Sequence, residues 1–68
     1  MTAARRSALP PTLPPRGLSR AEASAYLGVS AGLFDRMVLD GTMPGPKRIA
    51  GRLVWDRHEI DVAFTVLP

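Results

Sequence analysis

The sequence predicts a small α+β domain: two short helices around a glycine turn, a two-stranded hairpin, and a closing helix. Three observations carry this. Ser19 with Glu22 and Asp56 with Glu59 are helix-start signatures at the two ends of the segment. Gly28 and Gly41 each follow a short run with apolar residues at helical spacing. Between them and the last helix, "TMPGPKRIAGRLVWD" holds Pro44 and Pro46, which exclude a helix, and two strand-like runs around Ala50-Gly51.

Size sets the outer limits. With 68 residues the chain makes one domain, and domains of about 60 residues bury only roughly 60% of their extended surface, which leaves no depth for a catalytic cleft. There is no cysteine, so neither disulfides nor a thiolate zinc site supports the fold. Arg5 and Arg6 precede no apolar run, and no stretch approaches a membrane span. The expectation is a soluble, cytoplasmic protein with no membrane partner.

Residues 1–17, with Pro10, Pro11, Pro14 and Pro15, lack periodicity and large apolar side chains, and read as a disordered Pro/Arg-rich arm. The domain is expected over residues 18–68. Ser19 accepts a helix-start amide and Glu22 reaches back, so a first helix runs from Arg20 to Leu27 and closes at Gly28. Val29 tucks inward, and Ser30 caps a second helix over Ala31 to Leu39. Two helices around a tight glycine turn make a helix-turn-helix candidate. In the second, Phe34, Met37 and Val38 share a narrow arc and pack on Ala23, Leu27 and Val29. After Pro46, Lys47 to Ile49 and Arg52 to Trp55 form the hairpin, with Ile49, Leu53 and Trp55 on one side or its diagonal. Asp56 and Glu59 form a second capping box, opening a helix whose apolar stripe is Ile60, Ala63, Phe64 and Leu67.

The charge pattern leaves two readings, a polyanion site and a plain solvated face. The net charge is +3, yet with Arg5, Arg6 and Arg16 assigned to the arm the remaining six basic and six acidic residues balance. No acid lies between Gly41 and Trp55, whereas Lys47, Arg48 and Arg52 do, so the hairpin is a local basic patch or a solvated face. On the second helix Gly32, Asp35, Arg36 and Leu39 face outward. Small residues near a helix N-terminus followed by a long donor one turn later suit a groove-reading helix, and Gly32 and Arg36 fit. The competing role for Arg36 is an i,i+4 pair with Asp40.

At these residues the chain resembles a known group. "LSRAEASAYLGVS", Gly41 after the second helix, "MPGP" and "RIAGRLVWDRHEI" look like the small winged helix-turn-helix proteins of the phage excisionase and AlpA-like regulator group, related to the MerR DNA-binding domain. The similarity spans about residues 18 to 64. It implies a second helix in the major groove and a hairpin wing on an adjacent minor groove or phosphates. The resemblance implies Ser30, Gly32, Asp35 and Arg36 on the groove helix and Arg48, Gly51 and Arg52 on the wing; Arg20, Ala31 and Lys47 are expected to contact DNA beside them. Gly32 and Leu33 depart from the common pattern. The implied role is an excisionase, a recombination directionality factor that bends double-stranded DNA so that a site-specific integrase runs excision. An AlpA-like transcription regulator and a protein-binding adaptor remain as alternatives.

An enzyme is the rival class. His58 is the single histidine and cysteine is absent, so nucleophile-base pairs and zinc clusters are missing, and no catalytic residue, metal or cofactor is expected. Val62 and Val66 stand opposite the apolar stripe of the last helix, and Leu33 and Leu39 flank the buried arc of the second. These four are expected to serve head-to-tail self-association on DNA.

Overall fold

The computed structural model describes residues 13–68; the part of the predicted arm at 1–12 lies outside them. Among the described residues the chain forms a small α+β domain with three helices and a three-stranded antiparallel sheet. The order is β1 (Gly17–Leu18), α1 (Arg20–Leu27), α2 (Ala31–Leu39), β2 (Lys47–Ile49), β3 (Arg52–Asp56) and α3 (Arg57–Thr65), and the sheet runs β1-β3-β2.

The helix ends follow the local chemistry. Ser19 Oγ accepts the Glu22 amide and the Glu22 carboxylate accepts the Ser19 amide, so both halves of the capping box of α1 are made. At the other end Gly28 is left-handed at φ 78°, the Gly28 amide donates to Ala25 and the Val29 amide to Ser24, which satisfies two carbonyls left open by the last turn. Ser30 Oγ then accepts the Leu33 amide and starts α2.

A compact core takes one side chain from nearly every element: Leu18, Ala23, Phe34, Met43, Trp55 and Ile60. Phe34 meets Trp55 edge to face at a centroid distance of 5.2 Å, and the indole N–H donates to the Pro44 carbonyl at 3.0 Å. The buried ring therefore leaves no polar atom unpaired, and its donor also ties down the loop after α2. Leu27, Val29, Met37, Val38, Ala63 and Leu67 pack around this cluster. Strand β2 contributes nothing to it, all three of its residues being exposed.

Four expectations need correction. First, the boundary between 17 and 18 cuts a strand, because Gly17 pairs with Asp56 and Leu18 with Trp55. Arg16 is also part of the folded unit: its guanidinium makes two 3.1 Å hydrogen bonds to the Asp56 carboxylate, and its carbonyl accepts the Arg57 amide. A side chain at position 17 would begin 2.7 Å from Val54 Cγ1, so at this approach of β1 to β3 any residue but glycine requires Val54 to move. Second, Ile49 does not share a face with Leu53 and Trp55. The two-residue turn sets Ile49 opposite Arg52, Arg48 opposite Leu53 and Lys47 opposite Val54, and directly paired residues lie on one face.

Third, Phe64 is not a core residue but 56% exposed. The burial centre of α3 falls along Ile60, Ala63 and Leu67, and Phe64 stands at the rim of that arc beside Tyr26, whose hydroxyl donates to Asp61 at 2.6 Å. Fourth, the capping box of α3 is half made. Asp56 accepts the His58 amide at 3.0 Å, but it is itself a ladder partner of Gly17, and the Glu59 carboxylate turns to Lys47 instead.

Candidate nucleic-acid interface

The surface expected to meet a polyanion is built from two elements, the N-terminal two turns of α2 and the β2–β3 hairpin. On α2, Ser30 spends its hydroxyl on the cap, Ala31 is half-buried, and Gly32 is exposed. A Cβ built on Gly32 meets nothing within 4 Å, so internal packing makes no demand for glycine here. The missing side chain leaves the first turn of the helix open to a close neighbour.

Arg36, one turn further, is exposed. The competing pair with Asp40 is not made: Asp40 accepts the Thr42 amide at 2.9 Å and the Thr42 hydroxyl. Those bonds, with the Thr42 hydroxyl foremost, hold the Asp40 carboxyl below the usual Asp range, and the Arg36 charge is the weakest contribution. Arg36 thus keeps its donors.

Arg20 and Asp35 behave differently. The Arg20 guanidinium grips the Asp35 carboxylate with two hydrogen bonds, Nε to Oδ1 at 2.8 Å and Nη2 to Oδ2 at 2.6 Å, joining the start of α1 to the exposed flank of α2. The bonds lower the Asp35 pKa and raise that of Arg20. Two residues expected to face DNA separately are brought together as one neutral pair.

The hairpin turns at Ala50 and Gly51, both with positive φ, 50° and 81°. This is the backbone of a two-residue turn whose twist matches the flanking strands. The basic hairpin residues do not form a single patch. Lys47 Nζ lies 3.1 Å from Glu59 of α3 and is neutralised. Arg48 and Arg52 are exposed at the tip but project from opposite faces of the ribbon, Arg48 beside Leu53 and Arg52 beside Ile49.

Charge accounting across the described residues isolates three cations. Arg16, Arg20, Lys47 and Arg57 each lie against a carboxylate, Asp56, Asp35, Glu59 and Asp61 respectively. Among the described residues Arg36, Arg48 and Arg52 make no side-chain hydrogen bond or ion pair. Sequence reading had no means of separating Lys47 from its neighbours, since Glu59 belongs to another element.

The four apolar residues expected at a protein contact are all exposed, Leu33 least, Val62 at 66%, Val66 at 76% and Leu39 at 86%. Sequence reading missed Ile49 and Leu53 as further exposed apolar residues near the hairpin tip. Among the described residues no three His, Asp or Glu side chains come together in a way that could hold a metal ion, and no helix is long and apolar enough to cross a membrane. No known family matches this chain, and neither a curated protein nor a solved structure does so significantly.

Proposed function

We propose that this protein binds double-stranded DNA as a winged helix-turn-helix module, α1 and α2 forming the helix-turn-helix and the β2–β3 hairpin the wing. The observation that carries the reading is the location of the uncompensated charge: every described cation outside α2 and the hairpin tip is matched by a carboxylate, and the three that are not are Arg36, Arg48 and Arg52. B-DNA's major groove is about 12 Å wide and admits a helix. With α2 in it, the bare first turn at Ala31 and Gly32 allows close approach and Arg36 reaches a base edge, guanine O6 and N7 being the usual partners of arginine. Arg48 and Arg52, diverging from the tip around Gly51, suit two phosphates flanking one groove better than a single one.

Within that class, the role proposed is an excisionase, which shapes recombination-site DNA so that an integrase excises a mobile element. The support is the resemblance of the segments around Ser19, Pro44 and Trp55 to that group, together with exposed Val62 and Val66 as a surface for a neighbouring copy on adjacent sites. No bond chemistry is assigned to the protein itself.

The test has two stages. Binding to random duplex DNA is measured at 50 and 200 mM salt, where a phosphate-driven complex weakens steeply and a protein-binding adaptor shows no complex at either. A two-site plasmid incubated with a candidate site-specific integrase then yields an excised circle only when the protein is present. Promoter repression without excision would replace the excisionase role by a transcription regulator on the same interface.

A further inference from the structure

Asp35 poses a problem for a DNA-reading helix. It stands one residue before Arg36 on the exposed flank of α2, and a carboxylate there repels phosphates. Both of its oxygens already accept from Arg20, at 2.8 and 2.6 Å, so its charge is paired within the protein before any base is met. Nor is the pair needed to bury anything: the two side chains are about half exposed, and α1 and α2 are already joined by the turn at Gly28 and by Ala23 against Phe34. What the pair does is cancel a cation at the start of α1.

We propose that Asp35 limits sequence-independent DNA affinity by neutralising Arg20, so that among the described residues the unpaired Arg36, Arg48 and Arg52 set the attraction. This rests on the DNA-binding reading above. An exposed ion pair is weak, but whether or not the contact survives beside DNA, Asp35 brings its own negative charge with it, so the two residues enter the interface with no net charge and release no net counterion. Removing the Asp35 charge converts Arg20 into one more free cation, able to reach a phosphate in any register because its long stem rotates freely.

The experiment uses the full chain as wild type, Asp35→Asn, Asp35→Glu, and Arg20→Gln combined with Asp35→Asn. Each is tested on a random duplex and on a duplex selected by the wild type from a random pool. For Asp35→Asn the slope of log affinity against log salt steepens by about 0.9. Taking 1 M salt as the point where counterion release adds nothing, affinity rises about 15-fold at 50 mM and about fourfold at 200 mM, equally on both duplexes. Asp35→Glu and the double variant keep the wild-type slope.

An Asp35→Asn protein that folds but shows an unchanged slope overturns the proposal, as does one that no longer melts cooperatively, which makes the pair a structural clamp. Loss of affinity confined to the selected duplex also overturns it and makes Asp35 a base reader. Failure of the wild type to bind either duplex at 50 mM refutes the DNA-binding reading itself, and so is distinguishable from failure of the variant alone.

Discussion

The salt dependence of DNA binding can be worked out residue by residue from the hairpin. Sequence reading assigns one phosphate contact each to Lys47, Arg48 and Arg52, whereas in the structure Lys47 is 3.1 Å from the Glu59 carboxylate and the other two are unpaired. Each released counterion contributes about 0.9 to the slope of log affinity against log salt, so a fourfold rise in salt costs about 3.5-fold per contact. Arg48→Ala with Arg52→Ala should flatten the slope by about 1.8 and reduce the loss between 50 and 200 mM salt by about 12-fold. Removing Lys47 and Glu59 together, as Lys47→Met with Glu59→Gln, takes away a neutral pair and should leave the slope where it was. Fluorescence anisotropy on a labelled random duplex at four salt concentrations measures the wild type, the two double variants and the single Arg52→Ala, with a thermal melt to show that each is folded. Equal flattening by the Lys47/Glu59 variant and by a single Arg52→Ala would refute the reasoning, since it would mean that Lys47 leaves Glu59 for a phosphate.

Three further outcomes are expected. Ala50 holds a φ of 50° that glycine or asparagine adopts more readily, so Ala50→Asn or Ala50→Gly should raise stability by about 0.5–1 kcal/mol, seen as a higher urea midpoint at constant slope. The Asp56 carboxyl is pushed down to about 2, first by its hydrogen bond from Arg16 and further by the His58 amide. A carboxyl lowered on folding stabilises above its ordinary pKa and loses that contribution as pH falls towards its folded value. Melting temperature should therefore drop between about pH 4 and pH 2, and Arg16→Ala should narrow that window from its acid side. Val62→Glu with Val66→Glu, at two exposed positions, should leave the melt intact and abolish cooperative filling of abutting DNA sites; independent filling by the wild type would remove Val62 and Val66 as a contact surface.

What the sequence determined by itself is local. Ser19 with Glu22, Gly28, Ser30 and Ala50-Gly51 each act on backbone groups within a few residues, and both helices they delimit run over the expected residues, Arg20–Leu27 and Ala31–Leu39. Phe34 and Trp55 were legible as core for the same reason, one by helical spacing and one as the large aromatic of a strand. Tertiary structure decided everything that depends on partners far apart in the chain. Arg16 reaches Asp56 across 40 positions and Arg20 reaches Asp35 across 15, so the count of free cations cannot be read from composition. The hairpin faces, by contrast, followed from the local turn: two residues pair Ile49 with Arg52, and that parity, implicit in the sequence though Ile49 was assigned to the wrong face, separates Arg48 from Arg52. The fate of Phe64 was decided by space, because a core already filled by Phe34, Trp55, Met43 and Ile60 leaves the next aromatic on α3 at its rim. Periodicity ranks the faces of a helix, but only the packed neighbours set how wide the buried arc is.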